Sequence, residues 1–136
     1  MSEMITGISP KGLASYLEES GNIGILSETD DGSWFVSSAI GGLVYSVFLG
    51  QAAPEQSCHI LSFRALFLEE TTAVSVANSW NREEALFAIA SIDEEGFASL
   101  KMILDIDGVA AAWFRVRIGI WREELVNFEA MRQRYG

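Results

Sequence analysis

The sequence predicts an α+β domain: an antiparallel sheet with helices packed on it, in the order α-β-β-β-β-α-β-β-α. Three observations carry this. Short alternating stretches are joined by tight-turn signals, Asp30-Asp31-Gly32 and Gly41-Gly42, which make successive strands antiparallel. The run from Val109 to about Gln133 keeps helical spacing for about four turns. Of the 136 residues, 49% are hydrophobic, which rules out wholesale disorder. A chain of this length buries roughly 68–70% of its unfolded surface without a disulfide or metal staple. Residues 1–136 read as a single domain, with no linker, repeat or low-complexity tract.

The elements follow in order. Ser9 caps a first helix with Pro10 at its first position, Leu13, Tyr16 and Leu17 as its apolar stripe, and Gly21 as its stop. Asn22–Glu28 and Ser33–Ala39 flank the Asp30-Asp31-Gly32 turn. Gly41-Gly42 leads into Leu43–Leu49, and a looser loop, Gly50–Ser57, carries Pro54. Cys58–Leu68 alternates, with His59, Leu61, Phe63, Ala65 and Phe67 on one side and Ile60, Ser62, Arg64 and Leu66 on the other. Thr71 or Thr72 caps a second helix to about Arg82, with Val76 and Trp80 on one face. Ala85–Ile92 and Phe97–Leu104 form two more strands around the turn Asp93-Glu94-Glu95-Gly96.

The last stretch carries two periods. Phe114, Val116, Ile118 and Ile120 alternate with Arg115, Arg117 and Gly119, as in a strand. Phe114, Ile118, Trp121, Leu125 and Phe128 keep helical spacing for longer, so a helix is expected. Its first half is apolar nearly all round, which predicts burial on two sides, by its own sheet and by a partner. Large residues on both strand faces, such as Phe35 beside Trp34 and Phe48 beside Val47, exceed what three helices cover. Homodimerisation is the expected remedy.

The charge sets bounds on partners. With 19 acidic and 9 basic side chains the formal net charge is −10, which repels nucleic-acid backbones and anionic membranes. The balance is uneven: Met1–Phe114 holds 16 acidic and 4 basic residues, and Arg115–Gly136 holds 3 acidic and 5 basic. That basic tail suits either a solvated helix face or docking on acidic surface. Ser33–Pro54 is uncharged and long enough to span a bilayer. Its serines, glycines and Gln51, and the absence of flanking Lys or Arg, favour two strands joined at Gly41-Gly42. The single Cys58, the lack of a glycosylation sequon and the polar Met1–Tyr16 stretch predict a reducing cytoplasm.

Signatures of catalysis are sparse. No glycine-rich phosphate loop, GxSxG, HExxH or CxxC occurs. Adjacent Cys58 and His59 point to opposite faces of a strand and cannot form a nucleophile–base pair. Asp105-Ile106-Asp107-Gly108 lacks the twelfth-position Glu of a calcium loop, where Val116 stands. No catalytic, cofactor or metal residue is therefore assigned. The most distinctive cluster is Asn78-Ser79-Trp80-Asn81-Arg82. As structure, Trp80 packs in the core, Asn81 ends the helix in a left-handed turn and Asn78 bonds back to the neighbouring loop. As function, these side chains hold a partner segment. Asn78, Trp80 and Asn81, with Trp113 and Ile120 of the last helix, are the candidate partner-binding residues.

At this cluster the chain resembles the YbjN family, bacterial proteins described as sensory transduction regulators with a fold like the type III secretion chaperones. The resemblance runs from Ala73 to Met131. It rests on Val76-Ala77-Asn78-Ser79-Trp80-Asn81, the turn Asp93-Glu94-Glu95-Gly96, the segment Leu104-Asp105-Ile106-Asp107-Gly108-Val109, and Phe128-Glu129. Ala110 departs from the Ser or Thr that often caps the family's last helix. The resemblance implies a dimeric, chaperone-like or regulatory protein without established catalytic residues.

The expected function is accordingly a non-enzymatic protein-binding regulator or chaperone-like adaptor, a homodimer with a protein partner. Two other readings remain. A small-molecule sensor would line a pocket between sheet and helices with Trp34, Phe35, Phe63, Phe67, Trp80 and Trp113. An enzyme would use carboxylates such as Asp105 and Asp107.

Overall fold

In the computed structural model, residues 3–50 and 52–135 are described. Met1, Ser2, Gln51 and Gly136 lie outside them, and with them the ends of the expected domain 1–136 and one position of the Gly50–Ser57 loop. The chain is an α+β domain built on a six-stranded antiparallel sheet with three helices packed on it.

After a short strand β1 (Met4–Ile5), helix α1 spans Pro10–Glu19. The Ser9 hydroxyl accepts from the Gly12 N–H at 2.9 Å, and Pro10 opens the helix, as the sequence predicts. Leu13, Ala14 and Leu17 are buried. The chain leaves α1 through Gly21, at φ 83°, and turns so tightly that a Cβ at Gly24 would lie 2.3 Å from the Ala14 carbonyl oxygen. Glycine is required there by that close approach.

Strands β2 (Ile25–Glu28), β3 (Trp34–Ile40), β4 (Leu43–Phe48) and β5 (Ile60–Phe67) form a meander. Ile40 pairs with Leu43 across Gly41-Gly42, at φ 56° and 82°. Both φ values are positive, as a two-residue hairpin of this kind demands. The uncharged Ser33–Pro54 stretch is thus mostly a hairpin, and no helix among the described residues is long and apolar enough to cross a membrane. From β5 the chain crosses through α2 (Val74–Ser79) to β6 (Ile89–Ile92), and β7 (Ala98–Asp105) returns between β5 and β6. The β5–β7 ladder runs from Ile60↔Asp105 to Phe67↔Ala98. A two-residue strand β8 (Val109–Ala110) pairs with β1 and leads into α3 (Ala111–Tyr135). Helical spacing in the last stretch therefore prevails over strand alternation.

Several expectations need correction. The second helix is capped by neither Thr71 nor Thr72: its N-cap is Ala73, without a side-chain bond. The Thr72 hydroxyl is used elsewhere, accepting from Arg132 Nε at 2.8 Å. Residues 85–88 are not strand, because the N–H groups of Leu86, Phe87 and Ala88 go to the Glu124 side chain and that of Ala85 to the Trp80 carbonyl rather than to a neighbouring strand. Helix α3 calls for none: its sheet side is buried through Phe114, Ile118, Trp121, Leu125 and Phe128, and its other side, with Val116, is the exposed one.

One cluster holds the core. Val36, Tyr45, Val47, Leu61, Phe63, Leu100 and Met102 of the sheet meet Leu13, Leu17, Val76, Trp121 and Phe128 of the helices. Trp121 packs against Tyr45 and Phe63 at centroid distances of 5.7 and 5.6 Å. Phe128 packs between Phe67 at 5.3 Å and Trp80 at 5.4 Å. The helices lie on one face, and the other face of the sheet stays open.

Candidate partner-binding site

The site starts from a change of helical pitch. At Trp80 the α2 helix widens into a π-helical turn, Trp80–Glu84, closed by the Ala85 N–H donating to the Trp80 carbonyl at 2.8 Å. The extra residue in this turn sends adjacent side chains to two different tasks. Trp80, 2% exposed, lies in the core and donates its indole N–H to the Ala88 carbonyl at 3.0 Å. Asn81 reaches β6, where its amide accepts from the Ala90 N–H and donates to the Ala90 carbonyl, both at 2.8 Å.

Glu124 of α3 completes the arrangement. It is 3% exposed, and its carboxylate accepts from three successive backbone N–H groups. Leu86 and Phe87 bond one oxygen at 2.7 and 2.8 Å, and Ala88 bonds the other at 2.9 Å. Such bonds to a buried charged acceptor are strong ones. Alternate residues of an edge strand turn their N–H and C=O outward, and here Ala88 and Ala90 have both groups occupied by side chains. The outer edge of β6 is therefore blocked to an added strand at Ala88 and Ala90.

The pinned segment presents an apolar surface. Leu86 is 69% exposed and Val116 56%, with Phe87 exposed and Trp113 and Ile120 half-buried nearby in sequence on one stripe of α3. Trp113, Val116, Arg117 and Ile120 recur at helical spacing, which places them on one side of the helix. The Arg117 guanidinium lies 3.6 Å from the Phe87 ring centroid and 4.8 Å from that of Trp113. Cation–π contacts of this kind contribute about 0.5–1 kcal/mol each at exposed sites. They join the segment 86–87 to the outer stripe of α3.

The five candidate residues thus fall into three groups. Trp113 and Ile120 lie on the outer stripe of α3. Trp80 and Asn81 are not available to a partner, because the core and β6 already occupy them. Nor does Asn81 end a helix in the left-handed region, since among the described residues only glycines have positive φ. The bond back to the neighbouring segment is made by Asn81, while Asn78 is exposed on α2. Leu86, Phe87, Arg117 and Glu124 were missed. Glu124 had a legible signal: a carboxylate flanked at helical spacing by Trp121, Leu125 and Phe128.

The other constellations come out as follows. Cys58 Sγ donates to the Leu49 carbonyl at 3.0 Å, and burial raises the thiol's pKa. His59 Nδ1 lies 3.0 Å from Asp105 Oδ1, which also accepts from the Asp107 N–H at 3.0 Å. That backbone bond first, then His59, holds the exposed Asp105 carboxyl below its usual range. The six aromatics of the sensor reading do not gather around one space. Phe63, Phe67 and Trp80 are core, whereas Phe35 stacks on Phe48 on the opposite sheet face. Among the described residues, no group of three or more His, Cys, Asp or Glu comes together to hold a metal ion.

Comparison with protein-family models and with curated proteins gave no match. The site is defined by its own geometry: a sheet edge blocked at Ala88 and Ala90 and carrying an apolar side-chain surface.

Proposed function

We propose that the chain is a non-enzymatic protein-binding regulator or chaperone-like adaptor, active as a homodimer in bacterial signal transduction. The resemblance to the YbjN family at Asn78 to Asn81 and Leu104 to Val109 motivates the regulatory part of this reading. A cytoplasmic setting belongs to it as well, on the strength of the single Cys58.

One observation carries the binding part. Leu86 and Phe87, on a backbone held by Glu124, are joined to Trp113, Val116 and Ile120 of α3 by Arg117, which lies over the Phe87 and Trp113 rings. A pre-organised apolar surface loses little entropy when covered. The outer stripe of α3 suits an isologous contact, in which the same helix face of each copy meets the other about a two-fold axis. Because the edge of β6 is blocked at Ala88 and Ala90, copies meet here through side chains rather than by a continuous sheet.

The test is solution mass by light scattering over a range of concentrations, on the wild type and on a Val116→Asp/Ile120→Asp variant. Both positions are outside the core, so the variant keeps its fold by circular dichroism. The expected result is a wild-type dimer and a monomeric variant. A wild type that is monomeric throughout removes the homodimer from this reading.

A further inference from the structure

The centre of the sheet face opposite the helices carries cations in an acidic molecule, while Asp105, on the same face, stands at the end of β7 bonded to His59. Register places Ile25, Ser37, Ser46, Arg64, Lys101 and Ile89 in one row across the strands. Arg64 and Lys101 are direct cross-strand partners in the β5–β7 ladder, both exposed. Like charges placed opposite one another destabilise a sheet. The chain has only 4 basic residues before Arg115, and two of them stand together here. Neither forms an ion pair among the described residues. Arg64 is held in place, with Nε donating to the Ser62 hydroxyl at 3.1 Å and its guanidinium 4.6 Å from the Phe48 ring centroid.

Exposed aliphatic side chains flank the two cations. Val44 and Leu66 lie to one side along the strands, Ile60 and Ile103 to the other. An open concavity of about 720 Å³, lined by Phe48, Cys58, Ile60, Ser62 and Arg64 among others, deepens the face beside Arg64.

We infer that this bare face docks an amphipathic helix of another protein, one that carries carboxylates within its apolar stripe. Charge complementarity selects the occupant: two unpaired cations amid aliphatic surface match carboxylates amid aliphatic side chains. A second copy of this chain fits poorly, because two-fold apposition of the face would crowd four cations together. A nucleic acid gains little from two cations on a chain of net charge −10. The helical form follows from hydrogen bonding. A sheet face offers no free backbone groups, so the docked segment must satisfy its own. Six strands about 4.8 Å apart span about 24 Å, the length of a helix of between four and five turns. This surface is separate from the α3 stripe of the proposed homodimer.

The probe is a labelled synthetic amphipathic helix of about five turns, with leucines at helical spacing and two glutamates in that stripe, followed by fluorescence anisotropy. Its twin carries glutamine in place of both glutamates. The wild type is expected to bind the Glu helix at least about tenfold more tightly than the Gln twin, the scale two partly exposed ion pairs supply. An Arg64→Gln/Lys101→Gln variant should lose that preference while its solution mass and circular dichroism stay those of the wild type. An Arg64→Glu/Lys101→Glu variant should instead prefer a lysine-bearing helix. No binding of the Glu helix, or equal binding of its twin, overturns the inference. A loss of dimer mass in the Gln variant would assign this face to a second copy. Competition by a single-stranded oligonucleotide at equal concentration would assign it to a general polyanion. Both results overturn the inference, and neither bears on the Val116→Asp/Ile120→Asp test.

Discussion

At residue scale, Glu124 does what no strand or helix does for the segment Leu86–Ala88: it supplies acceptors for three consecutive N–H groups. Glu124→Gln replaces one acceptor oxygen by an amide N–H₂ that faces donors. The expected cost is about 2–3 kcal/mol, read from urea unfolding, with faster hydrogen exchange at residues 86–88. Tyr45 is the converse case. Among the described residues its buried hydroxyl, that of its cross-strand partner Ser38 and the Trp121 indole N–H make no hydrogen bond of normal geometry. Tyr45→Phe removes an unsatisfied group at nearly constant shape, so it should leave stability unchanged or raise it by about 0.5–1 kcal/mol. The variant also differs at high pH. Burial raises the Tyr45 pKa above its ordinary value of 10.0. The folded state therefore keeps a proton that the unfolded state releases, so wild-type stability falls as pH rises beyond that ordinary value. In urea melts from pH 9 upward, Tyr45→Phe should lose stability less steeply than the wild type.

At the scale of elements, the β6 edge depends on Asn81. Asn81→Ala frees the N–H and C=O of Ala90 and should cost about 1–2 kcal/mol. It should also raise concentration-dependent aggregation, seen by light scattering, because an unpaired edge recruits other strands. Asn81→Asp keeps the acceptor but loses the donor and should fall between the two. Helix α3 and the strands were legible because their periods are written in side chains. Phe114, Ile118, Trp121, Leu125 and Phe128 give one stripe, and Leu61, Phe63, Ala65 and Phe67 give one face. The 85–88 segment was read as strand because Ala85–Ile92 is apolar and bounded by charge. Its partners, Glu124 and Trp80, are remote in sequence or on another element. The π turn has no sequence signal either. It exists because Trp80 must enter the core while Asn81 reaches Ala90.

For the whole molecule, the uneven charge finds its place within the fold. Arg132 of the basic tail is buried against Thr72, Glu129 and the Glu70 carbonyl, with its guanidinium 4.6 Å from the Phe67 ring centroid. Arg122 reaches the Asn22 side chain. The tail is thus partly spent on its own chain, and two cations at the sheet centre are left facing outward. Copies that each carry a net charge of −10 repel one another. Any homodimer should therefore tighten as salt rises from about 0.01 M to 0.15 M, where the screening length falls from about 30 Å to 8 Å. Sedimentation at the two salt concentrations reads this directly, and an apolar contact through the α3 stripe predicts that sign.

The sequence by itself determined the class of fold, the order of the main elements, the hairpin at Gly41-Gly42 and the cap at Ser9. Each follows from local stereochemistry or from a period along one segment. It also offered Trp113 and Ile120 as candidates, and the structure leaves both half-buried on the outer stripe of α3. Only the tertiary structure decided that Trp80 and Asn81 serve the fold, that Glu124 holds a distant segment, and that Arg64 stands opposite Lys101. These depend on strand order and helix docking, which bring together residues 8 to 38 positions apart through contacts that leave no mark in local spacing.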